Sequence, residues 1–252
     1  MSLFLKLFNT TAEYNAYTAD TANFIKPNVS CTLDDLGAVH YNPIDPYNGH
    51  DYVEIGGLKW ATMNVGANSV TDYGLYFAWG ETSGYTAAQV GSGEGQKYFG
   101  WEDYKYGNGT SSPGATGMTK YNSTDGKTVL DIDDDAVRVN WGGEWRMPTV
   151  SEIQSLGAAT TSAFTSNYEG SGVAGLVLTD KTDSSKVLFL PAAGNCGNGN
   201  IGYLGTQGFC WCSSIYTSNK IRAYYFTTNA TGAVDLRCYG ASVRGVLDDG
   251  NN

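Results

Sequence analysis

Four of the five cysteines, the residues best suited to chemistry by type, lie in the last quarter of the chain. Cys210 and Cys212 flank Trp211. On a strand both thiols would share one face, because successive side chains alternate between faces. Such a pair is either reactive or packed, and free cysteine is commonly a small buried hydrophobe. We expect packing, with the cysteines mostly reduced.

Three acids at a spacing of two, Asp131, Asp133 and Asp135, resemble the start of a calcium-binding loop. An EF-hand requires Gly at its sixth position and Glu at its twelfth, where this chain has Ala136 and Gly142. A looser calcium site stays open as an alternative. Residues 133–135 also suit the N-terminus of a short helix, where the helix dipole stabilises acids. We therefore predict no metal site.

Hydrolytic catalysis and dinucleotide binding find little support in the remaining motifs. His40 and His50 are the only histidines, and the chain lacks a G-x-S-x-G elbow. Residues 197–202 fit G-x-G-x-x-G, but the residues that follow do not open a helix. A glycine-rich turn is the better interpretation, so the sequence predicts no catalytic residues and no cofactor.

Composition narrows the class of partner. A formal charge of -10 repels phosphate backbones and anionic lipids, so we expect neither nucleic acid nor direct membrane insertion. No run approaches 18 apolar residues, and the first residues lack the features of a secretory signal. Neutral glycans and proteins remain as ligands. The sequence alone does not assign a location.

The same composition and the positions of the proline and turn residues predict two domains. The chain has 33 Gly, 18 Tyr and 6 Trp with 16% charged residues, which is typical of short strands and long loops. Pro43 and Pro46 mark a boundary that separates a small β-rich module, 1–46, from a domain at 47–252. In the module, apolar residues alternate with others at Leu3–Phe8. We predict that a helix starts at Thr10–Glu13 and that strands lie at Asn28–Leu33 and Val39–Tyr41.

The larger domain is predicted to be α+β with short antiparallel sheets, few short helices and long loops. Gly56-Gly57 should close a hairpin, residues 80–126 should form a surface loop pinned by tyrosines, and Thr149-x-x-Glu152 has capping-box spacing for a helix. The tryptophans and arginine of residues 141–149 favour core structure, with Arg146 as a hydrogen-bond donor. Strands that would form antiparallel sheets are predicted at Tyr52–Ile55, Leu58–Thr62, Leu75–Trp79, Val187–Leu190, Phe209–Ser213, Ala223–Thr227, Ala233–Leu236 and Ser242–Val246.

Several segments together resemble a known family. They are DYVEIGGLKWATMN at 51–64, WGGEWRMPT at 141–149, FLPAAG at 189–194, GFCWCSS at 208–214 and RCYGASVRGV at 237–246. This set is similar to the paralogous domain abundant in Fibrobacter and Bacteroides proteins, in the formylglycine-generating-enzyme branch of the C-type-lectin fold. The resemblance covers about 200 residues and implies a C-type-lectin-like domain.

The C-terminal pattern also resembles the variable proteins of diversity-generating retroelements. That resemblance implies a variable surface at about 208–246 on a constant scaffold. The scaffold positions would be Trp211, Ser213, Ser214, Gly240, Val243 and Arg244. The displayed, ligand-binding positions would be Tyr203, Phe209, Ile215, Tyr216, Lys220, Ile221, Arg222, Asp235 and Leu236.

Three functions are therefore weighed. The first is non-catalytic binding of a protein or glycan on a cell surface, as in phage receptor binding or bacterial surface recognition. The second is a cysteine-dependent, formylglycine-generating-type oxidase, although those relatives space their cysteines more widely than Cys210 and Cys212. The third is a structural surface or virion component that forms homo-oligomers. The resemblance favours binding, on a virion or bacterial cell surface.

Overall fold

The computed structural model describes residues 29–33, 39–43, 47–227 and 232–247. The chain divides into two compact units, Met1–Asn48 and Gly49–Asn252. In the first unit, strands β1 (Val29–Leu33) and β2 (Val39–Pro43) pair antiparallel, which confirms the two predicted strands. The predicted alternation at Leu3–Phe8 and helix start at Thr10–Glu13 lie outside the described residues.

The second unit carries both helices of the described residues and most of the strands. The helices are α1 (Ala136–Trp141) and α2 (Val150–Ala159). The strands, in chain order, are β1 (Val29–Leu33), β2 (Val39–Pro43), β3 (Tyr52–Ile55), β4 (Leu58–Asn64), β5 (Phe77–Ala78), β6 (Thr160–Thr165), β7 (Gly175–Asp180), β8 (Val187–Pro191), β9 (Asn195–Gly197), β10 (Asn200–Gly202), β11 (Cys210–Ile215), β12 (Arg222–Phe226), β13 (Ala233–Leu236) and β14 (Gly240–Leu247).

The architecture is mixed α+β and dominated by short, mostly antiparallel sheets. The large sheet of the second unit has nine strands in the order β10-β9-β14-β11-β12-β13, with β4 and β5 also paired to β14 and β3 paired to β4. A second sheet has the order β6-β7-β8. Both helices are short, and no helix among the described residues is long and apolar enough to cross a membrane.

The β3–β4 hairpin forms where the Gly-Gly pair predicts it. Gly56 and Gly57 have φ angles of 62° and 82°, and Ile55 pairs with Leu58 across them. A two-residue turn with two positive φ angles matches the twist of the adjoining strands, and glycine adopts it without a steric penalty. The local sequence is therefore sufficient to place this hairpin.

Both helices begin at side chains that cap them. Thr149 and Glu152 form the predicted capping box at α2, and Ile153 and Leu156 are buried on one face of that helix. Asp135 caps α1 by accepting hydrogen bonds from the amides of Val137 and Arg138. The prediction that acids at 133–135 suit a helix N-terminus is thus confirmed for Asp135, because its carboxylate satisfies amides that have no partner within the helix.

The central strand of the unit is β14. It pairs with β4, β5, β9 and β11, and all eight of its residues are buried. A strand covered on both faces needs a nearly continuous apolar sequence rather than alternation. The sequence GASVRGVL meets that need except at Ser242 and Arg244, whose side chains are hydrogen-bonded inside the core.

The strand pairing corrects part of the sequence prediction. β14 pairs in parallel with β11, whereas an antiparallel sheet was expected throughout the C-terminal part. The strand at 187–191 belongs to the three-stranded sheet, whose other strands, β6 and β7, were not predicted. Residues 75–79 contribute only the two-residue strand β5. The pattern along one strand does not specify the direction or identity of its neighbour, which explains these differences.

The stretch 80–126 forms a long loop held by aromatic side chains. Its regular structure consists of three short 3-10 turns. The rings of Tyr104 and Tyr121 are buried, and the guanidinium group of Arg237 lies 5.4 and 5.7 Å from their centroids. The Arg237 Nε atom donates to the hydroxyl of Tyr104 at 3.0 Å. Tyrosines do anchor this loop, as predicted, and a buried cation is their common partner.

The close approach of β14 to two indole rings yields a stability prediction. A Cβ atom at Gly245 would lie 2.5 Å from the Trp141 ring and 3.0 Å from the Trp145 ring. We expect Gly245→Ala to lower the free energy of unfolding in urea by about 1–3 kcal/mol, the usual effect of overpacking.

Gly202→Ala is the matched control for that substitution. Gly202 also lies on a strand without a positive φ, and its added Cβ would meet only the Asn195 side chain, at 3.5 Å. Its urea midpoint should stay close to that of the parent protein. Equal midpoints for the two variants would contradict the packing described for β14.

Candidate binding surface

The predicted display residues differ widely in exposure. Tyr203 is 59% exposed. Six others are half-buried: Tyr216, Lys220, Ile221, Arg222, Asp235 and Leu236. Phe209 and Ile215 are buried, at 7% and 2% exposure. Seven of the nine side chains are therefore accessible to a ligand to some extent.

The assignment of Phe209 and Ile215 to the displayed set is wrong. Ile215 belongs to β11, which lies between β12 and β14 and has every residue buried. Phe209 is enclosed by the rings of Tyr203 and Tyr225, at centroid distances of 5.7 and 5.1 Å. The resemblance gave these positions without their neighbours. Flanking strands cover Ile215, and aromatic rings cover Phe209.

The accessible residues do not form one patch, because β12 and β13 make a two-sided ribbon. Arg222 is opposite Leu236, and Ala223 is opposite Asp235. Adjacent residues of a strand point to opposite faces, so Asp235 and Leu236 lie on different sides of the ribbon. We name these sides the Asp235 face and the Leu236 face.

The Leu236 face carries Arg222 and Tyr224 together with Tyr216. Tyr216 meets Tyr224 edge to face at a centroid distance of 5.5 Å, and its amide donates to the Arg222 carbonyl at 3.1 Å. Lys220 and Ile221 belong to the turn before β12. Lys220 Nζ donates to the Asn122 carbonyl at 2.7 Å, so this lysine also ties the turn to the long loop.

A row of four aromatic rings runs from solvent into the core on the Asp235 face. Exposed Tyr203 contacts Phe209, Phe209 contacts Tyr225, and Tyr225 meets Trp211 at 6.0 Å. The Trp211 indole donates to the Phe77 carbonyl at 3.0 Å, which fixes the inner end. We name these rings the Tyr203 aromatic row. Rigid rings with one polar edge offer contact area at a small entropic cost, which favours recognition.

Asp235 adds a hydrogen-bond acceptor beside this row. Asp235 packs beside Asn195, Tyr225 and Tyr239, and the gap between them is too small to hold a water molecule. Burial raises the pKa of Asp235, while its bond to the Leu236 amide and the charge of Arg222 act in the opposite direction. The Asn195 side-chain amide reaches it only at 3.4 Å.

The predicted scaffold positions are all buried, as expected. They are Trp211, Ser213, Ser214, Gly240, Val243 and Arg244. Ser213 N donates to the Pro148 carbonyl at 2.8 Å, and Ser214 Oγ accepts from the Val150 amide at 3.1 Å. The two serines thus join β11 to the start of α2, which explains a role in the scaffold.

Burial also settles the packing of the cysteines. Cys210 and Cys212 are 6% and 0% exposed, and burial raises the pKa of each thiol to about 12. The Cys212 thiol donates to the Tyr224 carbonyl at 3.1 Å. Cys196 and Cys238 are likewise buried and free, with raised pKa values. The predicted packing is confirmed, and a reactive thiolate is disfavoured at all four positions.

Asp134 and Asp135 both have structural partners. Asp135 Oδ2 accepts from the Met147 amide at 2.8 Å, in addition to capping α1. Asp134, which is buried, pairs with Lys105 and Lys120, and its pKa is lowered by these lysines and by tyrosine hydroxyls. Within the described ranges, no group of three or more His, Cys, Asp or Glu side chains could hold a metal ion. Arg146 binds Glu152 through both terminal nitrogens, at 2.8 and 2.6 Å, which confirms its structural role.

Sequence reasoning missed Tyr225 and Asn195, which complete the surface around Asp235. Side chains alternate between the two faces of a strand. Tyr225, two residues after Ala223, could therefore have been placed on the same face as Ala223. Asn195 carries no comparable signal, because it comes from another strand.

Comparison with known proteins gives no match. No protein-family model matches the chain. No curated protein and no solved structure matches it significantly. The function is therefore inferred from the geometry of the surface.

The buried thiols lead to a labelling prediction. In a Cys31→Ser background, we expect iodoacetamide at pH 8 to leave the native protein unmodified over several minutes, with peptide mass spectrometry as the measurement. With a pKa near 12, only about one thiol in ten thousand is ionised at that pH. The same protein in guanidinium chloride should be alkylated at all four cysteines. Rapid labelling of Cys210 or Cys212 in the native state would count in favour of a thiol enzyme.

Proposed function

We propose that the chain is a non-catalytic ligand-binding protein with a C-type-lectin-like fold. Its ligand would be a protein or glycan on a cell surface. The observation that carries the proposal is the contrast within one segment: β11 and β14 are wholly buried, whereas β12 and β13 are half-exposed over most of their length. Side chains of the ribbon can therefore change while the scaffold stays constant.

The fold part of the proposal is supported by the sequence motifs and by the coarse architecture. Short sheets, two short helices and long loops agree with the expected class. The motifs at 141–149 and 237–246 supply buried core residues, among them Trp145 and Val243. The resemblance to the paralogous domain of Fibrobacter and Bacteroides proteins remains a proposal.

The non-catalytic part is supported by the state of the thiols. An oxidase that worked through Cys210 and Cys212 would need an accessible thiolate, and burial raises the pKa of both groups to about 12. The Asp235 face offers rings and a hydrogen-bond acceptor instead of a nucleophile. That combination is suited to recognition of a surface by contact and hydrogen bonding.

Binding through the Asp235 face is tested with two variants and one control. We expect Tyr203→Asn and Asp235→Asn each to weaken binding to a panel of immobilised oligosaccharides or to intact bacterial cells by about tenfold or more, as truncating a hot spot does. Asn tolerates the positive φ of 58° at position 203. Phe164→Asn is the control, because Phe164 is an exposed aromatic residue on β6.

Three results would separate the alternatives. Loss of binding in both surface variants but not in Phe164→Asn supports the proposal. Equal binding by all four proteins places the ligand elsewhere. If instead the parent protein self-associates and Tyr203→Asn abolishes the oligomer in sedimentation experiments, the structural or virion component is the better assignment.

Diversification of this surface is tested by the DNA that flanks the gene. We expect a reverse transcriptase gene and a near-copy of the segment for residues 208–246 that differs at adenines. The mismatched codons should fall on accessible positions such as Tyr216, Arg222 and Asp235. Codons for Trp211 and Ile215 should match, because both side chains are buried. Absence of the repeat, or mismatches spread over buried positions, would contradict a diversified binder.

A further inference from the structure

A second site lies apart from the ribbon, between residues 129–132, helix α1 and the segment before α2. Its pocket has a volume of about 220 Å³, against about 20 Å³ for the crevice beside Phe209 and Phe226. About 10–15 Å³ of such space is enough to hold one water, so the pocket has room for several waters. We name it the Arg138 pocket.

One wall of the Arg138 pocket is apolar and partly open to solvent. It is lined by Val129, Leu130, Ile132 and Met147. Ile132 is 66% exposed and Val129 is 41% exposed, while Met147 is buried. Clustered aliphatic side chains that remain exposed beside a pocket favour a ligand that covers them. The wall therefore suits an aliphatic group.

Arg138 supplies a cation with unused hydrogen-bonding capacity. Its Nε atom is buried and has no partner among the described residues. Its Nη2 atom reaches Glu144 at 3.4 Å, and the Glu144 side chain is 78% exposed. An ion pair of that length and exposure contributes little, and a buried unpaired donor costs free energy. A ligand carboxylate would relieve that cost.

The other charged groups that line the pocket are already engaged. Arg146 is bound through two nitrogens to Glu152. Burial raises the pKa of Asp135, while hydrogen bonds from the amides of Val137, Arg138 and Met147 act in the opposite direction and occupy its carboxyl oxygens. Glu144 is exposed and can turn into solvent when a ligand replaces it. Arg138 is therefore the group that an anionic ligand would meet.

We propose that the Arg138 pocket binds an aliphatic carboxylate. The aliphatic group lies against Val129, Leu130, Ile132 and Met147, and the carboxylate pairs with the Arg138 guanidinium group in place of Glu144. Two sources share this chemistry: a free branched-chain acid, and the C-terminal residue of a peptide with an aliphatic side chain. The proposal does not depend on the function of the ribbon.

The test is a titration of the full chain followed by nitrogen–proton correlation spectra. The probes are isovalerate, N-acetyl-Ala-Leu with a free carboxylate, and N-acetyl-Leu amide as the neutral control. We expect saturable shifts at residues 129–147 with one or both acids, with a Kd of about 1 mM or tighter, and none with the amide. Tighter binding of isovalerate indicates a free acid, and tighter binding of the dipeptide indicates a protein C-terminus.

Two variants and one control complete the test. Arg138→Gln should weaken binding of the acids at least tenfold, and Ile132→Ser, at an exposed position, should weaken it without affecting folding. Lys181→Gln removes an exposed positive charge just after β7, outside both surfaces, and should leave binding unchanged. Equal binding of acid and amide, unchanged binding by Arg138→Gln, or no saturable shift with either acid would overturn the proposal.

Discussion

The guanidinium groups of Arg237 and Arg244 are enclosed in the core, and no carboxylate among the described residues forms an ion pair with either. A buried charge is tolerated only when its donors are satisfied, so both groups depend on oxygen atoms from distant segments. The acceptors of Arg244 are Asn64 Oδ1, Ala61 O and Phe189 O. Those of Arg237 are Tyr104 Oη, Tyr121 O, Lys220 O and Lys120 O. Correct placement of these segments is thus a condition for burying the charges.

The need to satisfy the two buried arginines determines which segments of the protein are held in place. Arg244 joins β14 to β4 and to the end of the three-stranded sheet, while Arg237 holds a long loop that has little regular structure of its own. The outer ribbon also contributes Ala223 and Phe226 to the core, so only its accessible side chains lie outside this constraint. The binding proposed for the Asp235 face and for the Arg138 pocket would rest on the same buried strands. The two proposed surfaces differ in chemistry: the first has aromatic rings with an acid, and the second has aliphatic groups with a cation.

Local signals in the sequence predicted the parts of the fold that depend on neighbouring residues. The Gly56-Gly57 turn and the Thr149–Glu152 capping box need only a few residues to form, and both are observed. The parallel pairing of β11 with β14 and the burial of Ile215 depend on segments far away in the chain, so no local pattern encodes them. The same holds for the candidate sites. The sequence indicated Asp235 as accessible, but the role of Arg138 emerges only when residues 129–132 are placed beside it.

The position of β14 also has a consequence for biosynthesis. Its partners β4 and β5 end at Asn64 and Ala78, whereas β14 begins at Gly240. At ribosomal speeds of about 5–20 residues per second, roughly ten to thirty seconds pass between synthesis of β4 and β5 and synthesis of β14, which completes their sheet. During that interval the apolar residues of β4 are exposed in the nascent chain, where long-range pairing cannot yet protect them. Cotranslational protection by a chaperone would thus matter more for this topology than for one built from sequential hairpins.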